Sequence, residues 1–202
     1  MCQQAGSSAV PTTQNLTIQE PFRSVLESMH ATEPQRGADG LLHPLDDTTR
    51  ISPQEGAALY SLVVSTRARA TLEVGLAFGF STAYLLAGLD RNGGGTHTAI
   101  DPYQDTDWHG LGRKTATSLV EQSGLPGDAF RFLAQRSERA LVDLARSDAH
   151  FEVTFIDGYH RFDDVLVDFT LAAPMCPIGG VIVLHDIWRP ADSPGPDRGR
   201  SR

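Results

Sequence analysis

Five short apolar segments recur along the chain from residue 71 onward, at residues 71–74, 96–100, 130–134, 151–156 and 180–184. Stretches with helical spacing lie between them, at 81–89, about 116–123, 138–145 and about 162–173. Short apolar runs bounded by turn residues read as buried strands, and the longer periodic stretches as helices. Parallel strands need crossovers, crossovers are right-handed, and the helices then cover both sheet faces. The pattern therefore predicts an α/β, doubly wound and mostly parallel sheet of about five strands.

The flanking segments are simpler. Phe22, Val25, Leu26 and Met29 are spaced for a helix within 18–30, and a second helix is expected over about 52–67, with Ser52 as N-cap and Pro53 in the first turn. Between them, Pro34, Gly37, Gly40 and Pro44 mark 31–47 as a linker or loop. Residues 18–67 are thus expected to form an N-terminal helical cap region and 68–188 the main domain. Residues 1–17 are rich in Ser, Thr and Gln, and 189–202 contain Pro190, Pro194 and Pro196; both ends are expected to be disordered.

The chain has 202 residues, enough for one domain with its own core. It contains no apolar run of about 18 residues, and its start lacks the basic and apolar stretches of a secretory signal. Cys2 and Cys176 make no disulfide framework, and Cys176, in an apolar context, reads as a buried thiol. A cytoplasmic protein with no membrane partner is expected. The formal net charge is −8, so a phosphate backbone would be repelled and nucleic acid is not an expected partner. Lys114 is the sole lysine, which fits a GC-rich bacterial genome.

In an open parallel sheet, ligands sit beyond the carboxyl ends of the strands. Those positions are polar here: Glu73 and Gly75, Asp101, Ser137, Asp157 and His160, and His185 and Asp186. The first turn runs from Glu73 through Gly75, Ala77 and Gly79 to Ser81. Its glycines let backbone approach a ligand closely, and Ser81 is expected to cap the next helix. The Gly-x-x-x-Gly-x-Ser spacing is neither a dinucleotide fingerprint nor a phosphate loop. Asp101 ends the second strand, where an acid can accept both hydroxyls of a ribose, so the two features favour a nucleoside-containing cofactor.

Four stretches carry a resemblance: Leu72-Glu73-Val74-Gly75 with Gly79 and Ser81, Ala99-Ile100-Asp101-Pro102, Phe155-Ile156-Asp157-Gly158-Tyr159-His160, and 179–186 ending in His185-Asp186. On these the chain resembles the class I S-adenosylmethionine-dependent methyltransferases, and within them the small bacterial O-methyltransferase-like branch related to catechol-type enzymes. The resemblance covers about residues 50–188. It implies a Rossmann-like fold, S-adenosylmethionine as cofactor and a small-molecule hydroxyl as acceptor. It also implies that Glu73 and Gly75 meet the methionyl part, with Ala77, Gly79 and Ser81 in the same cofactor turn. Asp101 would then meet the ribose and Ser137 the adenine end.

Asp157 and Asp186 follow the last two strands. If those strands are neighbours, the two carboxylates lie about 5 Å apart and repel unless a cation or proton separates them. One reading is a divalent ion such as Mg²⁺, which would acidify an acceptor hydroxyl. The other is that one aspartate caps a loop while its fellow pairs with Arg161 or Arg189. Metal-dependent catechol-type relatives carry asparagine after the second aspartate, where this chain has Ile187. His160 and His185 are the candidate general bases, with Asp157 beside them in the catalytic set. His97 and His109 receive no catalytic role, and Tyr103 and Trp108 are expected to line an acceptor pocket. Phe162, Val165, Leu166, Phe169 and Ala172 are expected to face the core, with Asp163, Asp164 and Asp168 on a solvated face.

Two rivals stand beside the methyltransferase reading. An NAD(P)-dependent oxidoreductase is disfavoured by the missing dinucleotide fingerprint. A truncated or inactive nucleoside-binding remnant is kept because the resemblance implies an antiparallel strand pair after the fifth strand, and 189–202 carry no such pattern. The fifth strand would then be an open edge, and poor solubility or a homodimer through that edge is expected.

Overall fold

The computed structural model describes residues 17–46 and 49–187. The disordered ends expected from the sequence, apart from Thr17, fall outside these residues, as does Arg189. Helix α1 (Phe22–His30) leads into the short strands β1 (Gln35–Arg36) and β2 (Leu42–His43), which pair antiparallel. Then follow α2 (Pro53–Thr66), β3 (Ala70–Val74), α3 (Phe80–Arg91), β4 (Thr96–Ile100) and α4 (Leu111–Ser123). The chain continues through β5 (Phe130–Leu133), α5 (Ser137–Arg146), β6 (Val153–Ile156), α6 (Phe162–Ala172), a 3₁₀ turn (Ala173–Met175) and β7 (Val181–Leu184).

Strands β3 to β7 form one parallel sheet in the order β5-β4-β3-β6-β7. The chain moves outward from β3 through β4 and β5, then crosses back to place β6 on the other side of β3. That reversal opens a crevice between the carboxyl ends of β3 and β6. One face of the sheet is covered by α1 to α4, whose core includes Phe22, Met29, Leu59, Val63, Leu85 and Leu119. The other is covered by α5, α6 and the 3₁₀ turn, around Leu72, Ile100, Leu141 and Met175. The two N-terminal helices therefore share a core with the sheet. Among the described residues no helix is long and apolar enough to cross a membrane.

Local chemistry accounts for the helix starts. Ser52 caps α2 in a reciprocal capping box: its Oγ accepts from the Glu55 amide at 3.2 Å, and Glu55 Oε2 accepts from the Ser52 amide at 2.7 Å. Helix α3 starts differently from the sequence expectation. Its cap is Gly79, in the left-handed region at φ 86°, and Ser81 lies buried inside the first turn. A glycine tolerates that entry angle at little cost, so no hydroxyl cap is needed.

Three further expectations are corrected. The 31–47 segment is not featureless, because Gly37 and Gly40 fold β1 and β2 into a hairpin two residues deep, too short to show periodicity. On α6 the expected faces hold only in part: Ala172 is buried and Asp163 exposed as expected, but Phe162 is 83% exposed, Leu166 and Phe169 are also exposed, and Asp168 is only 3% exposed. Helical spacing fixes which residues share a face but not which way that face turns. Cys176 is half-buried rather than buried.

A polar network crosses the core beneath the crevice. Glu73 and His97, on adjacent strands, have wholly buried side chains with His97 Nε2 3.2 Å from Glu73 Oε2. Thr71 Oγ1 lies 2.8 Å from His97 Nδ1, and Thr82 Oγ1 donates to Glu73 Oε2. Glu73 Oε1 is buried with no hydrogen-bond partner among the described residues.

Candidate active site

The carboxyl ends of β3, β4, β6 and β7 open into a cleft of about 660 Å³, a size suited to a small ligand. Gly75, Ala77, Gly79, Ser81, Asp101, Ser137, Asp157, His160, His185 and Asp186 all line it. Residues expected from separate strand ends are thus brought to one wall by the sheet order. Glu73 is the exception: it is held inside β3 by Thr82 and His97, one layer below the cleft.

The crevice is tight because Gly75 lacks a side chain. Its φ is 94°, and a Cβ there would stand 2.2 Å from the Asp157 carbonyl oxygen. The Gly75 amide donates to Ile100 O at 2.9 Å and the Asp157 amide to Val74 O at 2.9 Å, so three strand ends are stitched together at this point. Asp101, buried at the end of β4, braces the first turn. Its Oδ2 accepts from the Ala77 amide and from Gln104 Nε2, both at 2.9 Å, and its Oδ1 accepts from the Tyr103 amide at 2.8 Å. Tyr103 and Trp108 both line the cleft, and Trp108 packs edge-on against Phe78 with ring centres 5.2 Å apart.

Strand pairing places Ile156 opposite Leu184, so Asp157, His185 and Asp186 emerge side by side. His185 Nδ1 lies 3.0 Å from Asp157 Oδ1 and 3.6 Å from Asp186 Oδ1. The Asp157 contact is at ion-pair distance, yet neither atom has a well-directed hydrogen bond. The close contact with Asp157, joined by its charge and those of Asp186 and Glu55, outweighs burial and pushes the His185 imidazole up to about 9. His185 is therefore cationic at neutral pH. His160 is more open: its Nδ1 is 3.8 Å from Asp157 Oδ1 and its Nε2 3.8 Å from Asp186 Oδ2, too far for hydrogen bonds.

Two contributors escaped the sequence reading. Glu55 Oε1 reaches His185 Nε2 at 3.3 Å, while its Oε2 stays in the α2 capping box. Burial opposes ionisation of Glu55, but hydrogen bonds from Ser52, joined by the charge and hydrogen bond of His185, hold its carboxyl below the ordinary range. The Ser-x-x-Glu spacing gave the capping box, but no local signal connects α2 to β7. Asp168 also lines the cleft, where burial raises its carboxyl despite a hydrogen bond from Ser137.

A family described as a methyltransferase domain matches residues 72–187, more than half of the chain. Among curated proteins, one named "Putative O-methyltransferase" from Mycolicibacterium vanbaalenii is 29% identical over 135 residues, 67% of this chain and 54% of its own. A protein of the same name from Mycolicibacterium paratuberculosis is 28% identical over 137 residues, 67% of this chain and 55% of its own. This chain therefore spans about half the length of these relatives. Among solved structures, the O-methyltransferase TomG from Streptomyces achromogenes, in complex with SAM, has a TM-score of 0.61 at 22% identity and covers 84% of this chain and 66% of that one. An O-methyltransferase from Bacillus cereus, in complex with SAH, gives 0.58 at 22% identity, over 84% and 67%. At these identities the likeness is one of fold.

Proposed function

The chain belongs to the methyltransferase-domain family, and from that premise we propose that it transfers a methyl group from S-adenosylmethionine to a hydroxyl oxygen of a small molecule. The observation that carries this reading is the cleft at the carboxyl ends of the strands, which the Gly75–Ser81 turn and the buried Asp101 carboxylate line together. Gly75, Ala77, Gly79 and Ser81 would hold the methionyl side, Asp101 the ribose and Ser137 the adenine end. Glu73 supports that turn from below. When bound, the cofactor supplies a sulfonium-activated methyl group.

The chain's own part is to seat the acceptor and take its proton. His160 faces the cleft with neither nitrogen hydrogen-bonded, so it can accept the hydroxyl proton as the oxygen attacks. His185, already protonated, is suited to steadying the developing charge and to keeping Asp157 in place. Tyr103 and Trp108 offer flat apolar walls for the acceptor.

A divalent ion such as Mg²⁺ is part of the proposal. Asp157 and Asp186 offer oxygen donors of the kind a hard cation takes, and the ion would displace the His185 imidazolium from between them. Asp157 and Asp186 would hold it, and the ion would acidify the acceptor hydroxyl. A cytoplasmic location, a bacterial source, the absence of a nucleic-acid partner and a homodimer through β7 remain part of the same reading. So do the boundaries 18–67 and 68–188.

Calorimetry with adenosylhomocysteine, with and without Mg²⁺ and set against NAD, tests the proposal. Binding of adenosylhomocysteine but not NAD is expected; protection by NAD alone would sink it.

A further inference from the structure

Outside the cleft, three side chains converge from segments distant in the sequence. Asp39 sits in the turn between β1 and β2, His43 ends β2, and His109 closes the loop that follows β4. One ligand atom from each lies within 4.8 Å of the others. His43 Nε2 is 2.8 Å from Asp39 Oδ2, and the His43 and His109 rings stack with centres 3.8 Å apart.

The surrounding backbone holds these groups together. Ala38 N donates to His109 O at 2.9 Å, and Lys114 Nζ donates to Gly37 O at 3.2 Å, tying the hairpin turn to the loop and to α4. Asp39 Oδ1 accepts from the Leu41 amide at 2.9 Å, which orients the carboxylate. A Cβ on Gly37 would stand 2.8 Å from Asp39 Oδ1, 2.9 Å from His43 Cδ2 and 2.9 Å from His109 O. The glycine therefore lets the hairpin turn close against the His109 carbonyl, which brings Asp39 and His43 up to the loop.

We propose that Asp39, His43 and His109 form a binding site for a borderline divalent transition ion, zinc(II) foremost. Two imidazoles and a carboxylate favour such an ion over Mg²⁺ or Ca²⁺, which prefer all-oxygen shells. Water completes the coordination. Lone pairs lie in the ring planes, so two stacked rings do not both aim at one ion. Loading turns one ring out of the stack, and His109, on the exposed loop, has the freedom to do so. The ion replaces the Asp39–His43 ion pair and cross-links the β1–β2 hairpin to the loop whose Trp108 walls the cleft. Its effect is to fasten that wall without touching the reactants.

Zinc titration by calorimetry, with cobalt(II) absorption as a second readout, tests this in a full-length Asp157→Asn/Asp186→Asn background that silences the carboxylates of the cleft. One equivalent of zinc is expected, together with cobalt bands showing nitrogen ligation and a rise in melting temperature on zinc addition. His43→Ala, His109→Ala and Asp39→Asn should each weaken binding at least tenfold and abolish the thermal shift. Melting of each variant without metal reports folding, and His43→Gln and His109→Gln serve where an alanine variant does not fold. No zinc uptake by the background protein, or uptake that survives both histidine replacements, would overturn the proposal.

Discussion

His185 Nδ1 lies 3.0 Å from Asp157 Oδ1, across the ends of two adjacent strands. The close contact with the Asp157 carboxylate and its charge raise the imidazole from an ordinary 6.5 to about 9, against the opposing effect of burial. A raised folded-state value means that the stabilisation is complete below about pH 6.5 and is lost as pH climbs through about 9. Melting temperature should therefore fall across that window, and the His185→Asn variant should show a flatter profile. Parallel profiles for the two proteins would mean that His185 carries no such linkage.

Gly75 allows the β3 turn to touch the β6 turn. An alanine there is strained twice, by a φ of 94° and by a Cβ placed 2.2 Å from the Asp157 carbonyl oxygen. Neither the strand nor its neighbour can yield without breaking the hydrogen bonds that the Gly75 and Asp157 amides donate to the Ile100 and Val74 carbonyls. Gly75→Ala should cost roughly 3 kcal/mol in chemical denaturation and lose adenosylhomocysteine binding. Unchanged stability would show that the two turns separate more readily than their hydrogen bonds suggest.

Glu73 and His97 face each other with fully buried side chains. Removing one member leaves the other as an uncompensated polar or charged group, which costs more than the pair contributes when whole. His97→Leu should lower unfolding free energy by about 3–5 kcal/mol. Replacing both, as Glu73→Gln/His97→Gln, should recover part of that loss. A double variant no better than His97→Leu would show that the pairing is not what the core depends on.

The strand positions were legible because apolar runs of four to six residues between turn residues have few other readings. The cleft was legible for a related reason: in a parallel sheet, Asp101, Asp157 and His185 must leave from the same end. What sequence could not supply was direction and depth. Phe162, Leu166 and Phe169 repeat identically whether a helix turns them inward or outward, and α6 turns them outward with Asp168 at the cleft. Glu73 belongs to a strand face decided by pairing with β4, so its burial beside His97 had no local mark. Ser52 was legible as the N-cap of α2, but Glu55, which completes that cap, also reaches His185 across 130 residues of sequence, and no local pattern marks such a contact.

Asp101 uses both oxygens to hold the amides of Ala77 and Tyr103. Asp101→Ala should strand these donors, costing about 1–3 kcal/mol in stability, and should weaken adenosylhomocysteine at least tenfold. Asp101→Asn, which keeps one acceptor, should retain more of the stability than of the affinity. Equal loss in both quantities would assign Asp101 a purely structural part.

His160 and His185 can be separated by their roles. His160 is 39% exposed on its side chain, and each of its nitrogens stands 3.8 Å from a carboxylate, which leaves it free to take a proton. His185 is already protonated at neutral pH, so it is not a base there. General-base removal commonly costs about 10²–10⁴ in rate, so His160→Gln should depress kcat by about that factor with little change in adenosylhomocysteine affinity or melting temperature. His185→Gln should instead lower stability at neutral pH as well as rate, because Asp157 and Glu55 lose the cation between them. Methyl transfer at several pH values, measured beside thermal melts, distinguishes the two. Should His160→Gln retain full kcat, the proton must leave by another route, and the carboxylate pair of Asp157 and Asp186 would become the group to replace next.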